Sequence, residues 1–241
     1  LLMGFLKTWP DAVEGHIEAM KSDCKISDAA YHLFRIFRDE RGLIQEIEDG
    51  LRLIEPLARA AGRIASYRET PRRLPTRSMD QINQIESGIF EIVILRGLIR
   101  AAFGAGVKIE LYPNVGRGKS NVEARLWIDG RWCYVEAKAL GYTKNLLGAQ
   151  GQRVGAISID SMAVPITKAL EEKTTGGKQL ACVSAGEPAV VFLAQKGFLE
   201  RQIANFTTRD FMLSRPAPLS GVMMFGSAFC RTAPALVISP S

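Results

Sequence analysis

The sequence predicts a mixed α/β fold, in which a β-sheet has helices on its faces and a helical region precedes it. Apolar side chains recur at spacings of three and four through the first part of the chain, as in amphipathic helices. Further on, Asp129-Gly130 joins two segments of alternating polarity, which is the pattern of a β-hairpin. A helical segment and the fully apolar stretch 189–194 follow, and such a stretch is typical of a strand buried on both faces. This order of elements favours a mixed sheet flanked by helices.

The composition limits the class of protein and of partner. Of 241 residues, 47% are hydrophobic and 23% charged, which suffices for a core and excludes a disordered chain. The longest apolar stretch, 92–107, contains Arg96 and Arg100, so no membrane span and no membrane partner are expected. A net charge of +6 suits a polyanionic partner. Four dispersed cysteines and a first segment without a basic leader favour a cytoplasmic protein with free thiols over a zinc site.

The N-terminal region is expected to span residues 1–77 and to be helical from about 10 to 67, with Ser27 as a helix cap. The segment 67–77 has two prolines, four arginines and no periodicity, which indicates a loop and places a domain boundary there. Arg72 and Arg73 in this loop are candidate contacts to nucleic-acid phosphates, although exposed linkers are commonly basic without binding anything.

The second domain, 78–241, is expected to begin with a helix from a capping box at Ser78 to about Phe103, which Gly104 and Gly106 end. The remaining predicted elements, in order, are strands at 107–112, 122–128 and 131–139, a helix at 159–174, a strand at 189–194, a helix at 198–206, and short strands at 222–225 and 235–238.

The hairpin brings acidic side chains together. Counting outward from Asp129-Gly130 places Glu123 opposite Glu136, and Lys138 follows on the same face. Like charges directly across an antiparallel pair are destabilising, so an offsetting cation is expected, and carboxylate with carbonyl oxygens suits Mg²⁺ or Mn²⁺. The alternative is a solvated face on which each glutamate is screened or paired with a basic side chain.

Residues 121–138 resemble the core of the PD-(D/E)xK nuclease superfamily, which has the restriction-endonuclease-like fold. Glu136-Ala137-Lys138 matches the acidic-x-Lys triplet of that family, and Glu123 stands where the family usually has Asp after Pro. Asn121-Val122 before Glu123 departs from the family pattern. The resemblance covers about residues 79 to 195.

The resemblance implies that Glu123, Glu136 and the Ala137 carbonyl hold one or two Mg²⁺ or Mn²⁺ ions. Lys138 would then position or deprotonate the attacking water and stabilise charge on the phosphate. Family members often add a glutamate from the leading helix. Glu91 is preferred to Glu86, because it is nearer the middle of the apolar run. A side chain from the following helix also reaches the site in the family, and the candidates are Lys168, Lys173, Lys178 and Gln179.

The function that the resemblance implies is a Mg²⁺-dependent DNA endonuclease of a restriction or other defence system. A homodimer is expected if both strands of a duplex are cut, since each chain has one site, but the sequence leaves the choice between single and double strands open. Arg117 and Lys119 in the basic loop 116–120 are candidate phosphate contacts. That loop is not a P-loop, because Pro113 stands where the motif requires Gly. A Ser or Cys hydrolase is disfavoured, because both histidines lie in the N-terminal region.

Two alternatives stay open. One is an enzyme that acts on RNA. The other is a degenerate module that keeps the fold and binds nucleic acid or a protein partner without catalysis.

Overall fold

The computed structural model describes residues 41–61, 79–115, 122–140, 168–173, 179–183, 186–195, 219–225 and 235–238. Two long helices lie within them, α1 (Arg41–Ala60) and α2 (Met79–Gly104), together with a 3₁₀ helix at Gln179–Cys182 and helical residues at 168–173. The strands are β1 (Ile109–Leu111), β2 (Ala124–Ile128), β3 (Arg131–Leu140), β4 (Ala189–Gln195), β5 (Leu219–Phe225) and β6 (Ala235–Ile238).

The strands described form one sheet in the order β1-β2-β3-β4-β5-β6. The pairs β1/β2, β2/β3 and β5/β6 are antiparallel, whereas β3/β4 and β4/β5 are parallel. The predicted mixed α/β class with a mixed sheet is therefore confirmed. Within the described part of the chain, no helix is long and apolar enough to cross a membrane.

The hairpin β2/β3 has the predicted loop and register. Asp129 and Gly130 have φ values of 48° and 77°, as the two central residues of a type I′ turn require. The register pairs Arg125 with Tyr134 and Trp127 with Trp132. Because side chains alternate along a strand, this register decides which residues share a face with Glu136.

Both faces of the central sheet are covered. On one face, Phe90 and Ile94 of α2 pack against Ala137 and Ala139 of β3 and Phe225 of β5. On the other face, side chains from 168–183 cover the strands: Leu170 and Leu180 join a buried cluster with Val191, Leu193 and Met224. Strand β4 is thus covered on both sides, which explains why residues 189–194 are all apolar.

Helix α2 also packs against α1. A Cβ atom at Gly50 of α1 would lie 2.7 Å from Cγ2 and 3.3 Å from the carbonyl oxygen of Ile92, so the two helices approach closely at this point. Arg100 of α2 lies 3.7 Å from the Asp49 carboxylate of α1. The boundary at residue 77 stays a prediction.

Several predicted features lie outside the described residues. These are the Ser27 cap, the loop 67–77 with Arg72 and Arg73, the loop 116–120 with Arg117 and Lys119, Lys178, and the helix 198–206.

Candidate functional site

The candidate site lies where β2 separates from β3. The antiparallel pairing ends at Ala124 and Val135, so among the described residues 136–140 of β3 have a strand neighbour only in β4. Glu123 lies one residue before β2. Its carbonyl accepts a hydrogen bond of 2.9 Å from the Tyr112 N–H. Its Oε2 accepts another, of 3.1 Å, from the Ala137 N–H. Glu123 is therefore fixed against β1 by its backbone and against β3 by its side chain.

Glu136 is the most deeply buried charged residue that the structure describes, with 0% exposure. Its Oε1 is in direct contact with the Lys173 ammonium, which comes from the helical residues covering this face of the sheet. Its Oε2 has no hydrogen-bond partner among the described residues. A buried carboxylate oxygen is costly to leave unpaired, and a cation or a proton is what would satisfy it.

Glu91 of α2 reaches the same place. The hydroxyl of Tyr112 donates a hydrogen bond of 2.9 Å to Glu91 Oε1, while the Tyr112 backbone holds Glu123. Tyr112 is buried and has a φ of 50°. A bulky residue in this left-handed region costs about 1–3 kcal/mol, so the surrounding contacts must hold it there. One strained residue thus links two of the acidic residues.

The four ionisable side chains interact strongly. Burial raises the pKa of Glu123 well above its ordinary value. The negative charge of Glu136, a hydrogen bond between the two carboxyls and the charge of Glu91 add to the rise, against a smaller opposing effect of Lys173. Burial by itself would lower the pKa of Lys173, but the carboxylates of Glu136, Glu123 and Glu91 outweigh it, so that pKa is raised. Lys173 therefore carries its charge at neutral pH, whereas Glu123 takes up its proton at a higher pH than an ordinary glutamate does.

The charges in this cluster do not balance by themselves. Three carboxylates and one ammonium leave two negative charges when all four groups are ionised. Oε2 of Glu136, which has no hydrogen-bond donor in the described part of the chain, and this residual charge fit either a divalent cation bound by Glu123 and Glu136 or a proton shared between the two carboxyls. Over the described ranges, no group of three or more His, Cys, Asp and Glu side chains is arranged as a ready metal site.

The structure brings together Glu91, Glu123 and Glu136 from the predicted set, and adds Lys173 from the candidates on the following helix. Lys138 lies two residues beyond Glu136 on the same strand face, is partly exposed, and has no ion-pair partner among the described residues. Ala137 is buried and touches the cluster through its N–H.

The other candidates that follow the hairpin are Lys168, Lys178 and Gln179. Lys168 is exposed, and Gln179 begins the 3₁₀ helix. The side chain of Glu86 lies outside the described residues. Sequence reasoning missed Tyr112, whose role depends on a backbone conformation that no local pattern of residues announces.

Comparison with protein-family models, with curated proteins and with solved structures finds no match for this chain. The resemblance of residues 121–138 to the PD-(D/E)xK superfamily therefore rests on the residues themselves.

Proposed function

We propose that the protein is a metal-dependent endonuclease that hydrolyses DNA phosphodiester bonds, with a restriction-endonuclease-like fold of the PD-(D/E)xK type and a role in restriction or defence. The observation that carries the proposal is the meeting of Glu91 of α2, Glu123 before β2 and Glu136 of β3, with the Lys173 ammonium in contact with Glu136. Two further carboxylates close to a fully buried Glu136 cost stability, and binding of a divalent cation is a function that would explain their placement.

Glu123, Glu136 and the Ala137 carbonyl would hold Mg²⁺ or Mn²⁺. Such an ion, when bound, lowers the pKa of its water and neutralises the charge that develops on the phosphate. Oxygen ligands of this kind favour these ions over zinc.

The two lysines have different roles in this proposal. Lys173 stays protonated beside Glu136 and acts as a fixed positive charge, which stabilises negative charge developing on the phosphate. Lys138 is partly exposed on the same face, where it can contact the attacking water or the scissile phosphate. Tyr112 holds Glu91 and Glu123 in place and is a positioning residue.

The test is incubation of supercoiled plasmid with the protein and Mg²⁺ or Mn²⁺, beside EDTA and the variants Glu136→Gln and Lys138→Ala. The proposal predicts nicking or linearisation that needs the metal and is lost in both variants. Cleavage that persists in Glu136→Gln would place the activity elsewhere, for example in a contaminating nuclease. An RNA substrate tested in parallel decides between the two nucleic acids.

A degenerate nuclease-fold module is the second candidate. Lys173 already neutralises part of the acidic cluster, and a proton on Glu123 would neutralise more, so the site has a stable state without metal. This candidate predicts neither cleavage nor Mn²⁺ binding by calorimetry. Metal binding without cleavage would instead indicate that the wrong substrate had been offered.

The proposal also includes a homodimer, since a protein with one site per chain must act twice to cut both strands of a duplex. A cytoplasmic location is part of the same proposal, because that is where the DNA substrate of a defence nuclease would be. Sedimentation velocity of the free protein and of a DNA complex tests this part.

A further inference from the structure

An aromatic and basic surface lies at the loop end of the β2/β3 hairpin. The rings of Trp127 and Trp132 pack edge to face across the two strands, with centroids 5.1 Å apart and an interplanar angle of 71°. Trp127 is 43% exposed, which is unusual for so large an apolar ring. We call Trp127, Trp132, Arg125 and Lys108 the tryptophan platform.

Two cations lie against this platform. The Arg125 guanidinium is 4.0 Å and the Lys108 ammonium 5.1 Å from the ring centroid of Trp132. Both also pair with Glu110, at 2.6 Å and 2.9 Å. Because the two cations share the single carboxylate of Glu110, the platform keeps a net positive charge. The Lys108 side chain is 64% exposed and is therefore accessible to a ligand. The cation contacts explain how Trp132 is held, but not the exposed ring of Trp127.

The platform and the acidic cluster share one face of the sheet. Trp132 and Glu136 are four residues apart on β3, so their side chains point the same way. At about 3.3 Å per residue their separation along the strand is about 13 Å. This corresponds to about four base steps of a stacked DNA strand, at about 3.4 Å per step.

We propose that the tryptophan platform binds an unpaired stretch of DNA, with a base stacked on the indole of Trp127 and the neighbouring phosphates beside Lys108 and Arg125. An exposed indole flanked by cations is the combination by which proteins hold single strands, because bases in a duplex already stack on each other. Every base has a stacking face, so the platform has no sequence preference. This inference rests on the proposed DNA substrate and specifies its form near the site.

The test is fluorescence anisotropy with labelled single-stranded DNA in EDTA, which excludes cleavage during the measurement. Trp127→Ala should bind about 5- to 150-fold more weakly, as expected for loss of one base stack. Trp127→Phe should recover most of the affinity. Ile128→Ala is the matched control, because Ile128 is 41% exposed on the same hairpin but on the opposite strand face. It should bind like the wild type.

The proposed binding role would be overturned if Trp127→Ala bound single-stranded DNA as tightly as the wild type, or if Trp127→Ala and Ile128→Ala lost the same affinity. Tighter binding of RNA than of DNA, or of duplex than of single strands, would overturn it as well. Thermal melting of each variant shows whether it is folded. If Trp127→Ala does not fold, Trp127→Leu replaces it, because leucine keeps an apolar side chain but has no aromatic face, and it should lose affinity in the same way.

The plasmid assay separates this inference from the proposed function. Single-strand binding that depends on Trp127, in a protein that cleaves nothing, supports the platform while the endonuclease proposal fails. Metal-dependent cleavage and single-strand binding that are both unchanged in Trp127→Ala overturn the platform and leave the endonuclease proposal standing.

Discussion

Removal of the Lys173 ammonium gives the sharpest stability prediction. Glu136 is completely buried and Lys173 is 13% exposed, so solvent screens this ion pair little. Breaking a buried pair by removing one partner typically costs about 3–5 kcal/mol, because the other charge is left without compensation. Lys173→Met, which keeps most of the apolar side chain, should therefore lower the free energy of unfolding by about that amount at neutral pH.

The assay is equilibrium urea unfolding of Lys173→Met beside Lys168→Met. Lys168 is exposed in the same helical segment, and a surface change of this kind should stay within about 0.5 kcal/mol. The double variant Lys173→Met with Glu136→Gln should recover much of the lost stability, since no buried charge remains. The deficit of Lys173→Met should also shrink as the pH falls, because carboxyls that take up protons no longer need the ammonium.

Equal stabilities of Lys173→Met and Lys168→Met would refute the reasoning. So would a double variant whose loss is the simple addition of the two single losses, because two residues in contact should show an interaction energy.

Three further predictions concern Glu123, Tyr112 and Gly50. The pKa of Glu123 is raised in the folded chain, so between about pH 4.3 and that raised pKa the folded chain keeps a proton that the unfolded chain has released. The free energy of unfolding should therefore fall as the pH rises through this range. Glu123→Gln should remove this part of the fall, and melting temperatures that drop equally with pH in both proteins would contradict the prediction. Tyr112→Phe loses the hydrogen bond to Glu91 and should cost about 1.5–3 kcal/mol in urea unfolding; an unchanged midpoint would show that the bond contributes nothing. Gly50→Ala should destabilise the protein despite a helix-propensity gain of about 1 kcal/mol, because the new Cβ would lie 2.7 Å from Cγ2 of Ile92. Gly97→Ala should stabilise the protein, because no atom lies within 4 Å of its new Cβ. A higher thermal midpoint for Gly50→Ala than for Gly97→Ala would count against the close α1/α2 contact.

Local patterns predicted much of the fold. The Asp129-Gly130 loop gave the register of β2 and β3, because positive φ values at both positions suit few other residue pairs. The apolar run and its capping box predicted α2 to within about a residue at each end. Extending this register by one position places Glu123 beside Glu136, although the strand pairing itself ends at Ala124 and Val135.

Other features depend on contacts between distant parts of the chain. The strand predicted at 107–112 is shortened to Ile109–Leu111, because the Val107 N–H bonds back to the Ala102 carbonyl and Tyr112 turns into the left-handed region. The contact of Lys173 with Glu136 arises from packing of a later helical segment on the sheet. No spacing in the sequence distinguishes Lys173 from the other lysines near it.

The measurement that tests the central claim most directly is a calorimetric titration of Mn²⁺ into the wild type and Glu136→Gln, in buffers of different ionisation enthalpy. Mn²⁺ should bind the wild type and not Glu136→Gln, and the protons released on binding should increase as the pH is lowered, because the raised pKa of Glu123 means that this carboxyl must ionise to become a ligand. Equal binding by the two proteins, or none by either, would contradict the assignment of this carboxylate cluster as the metal site of a nuclease.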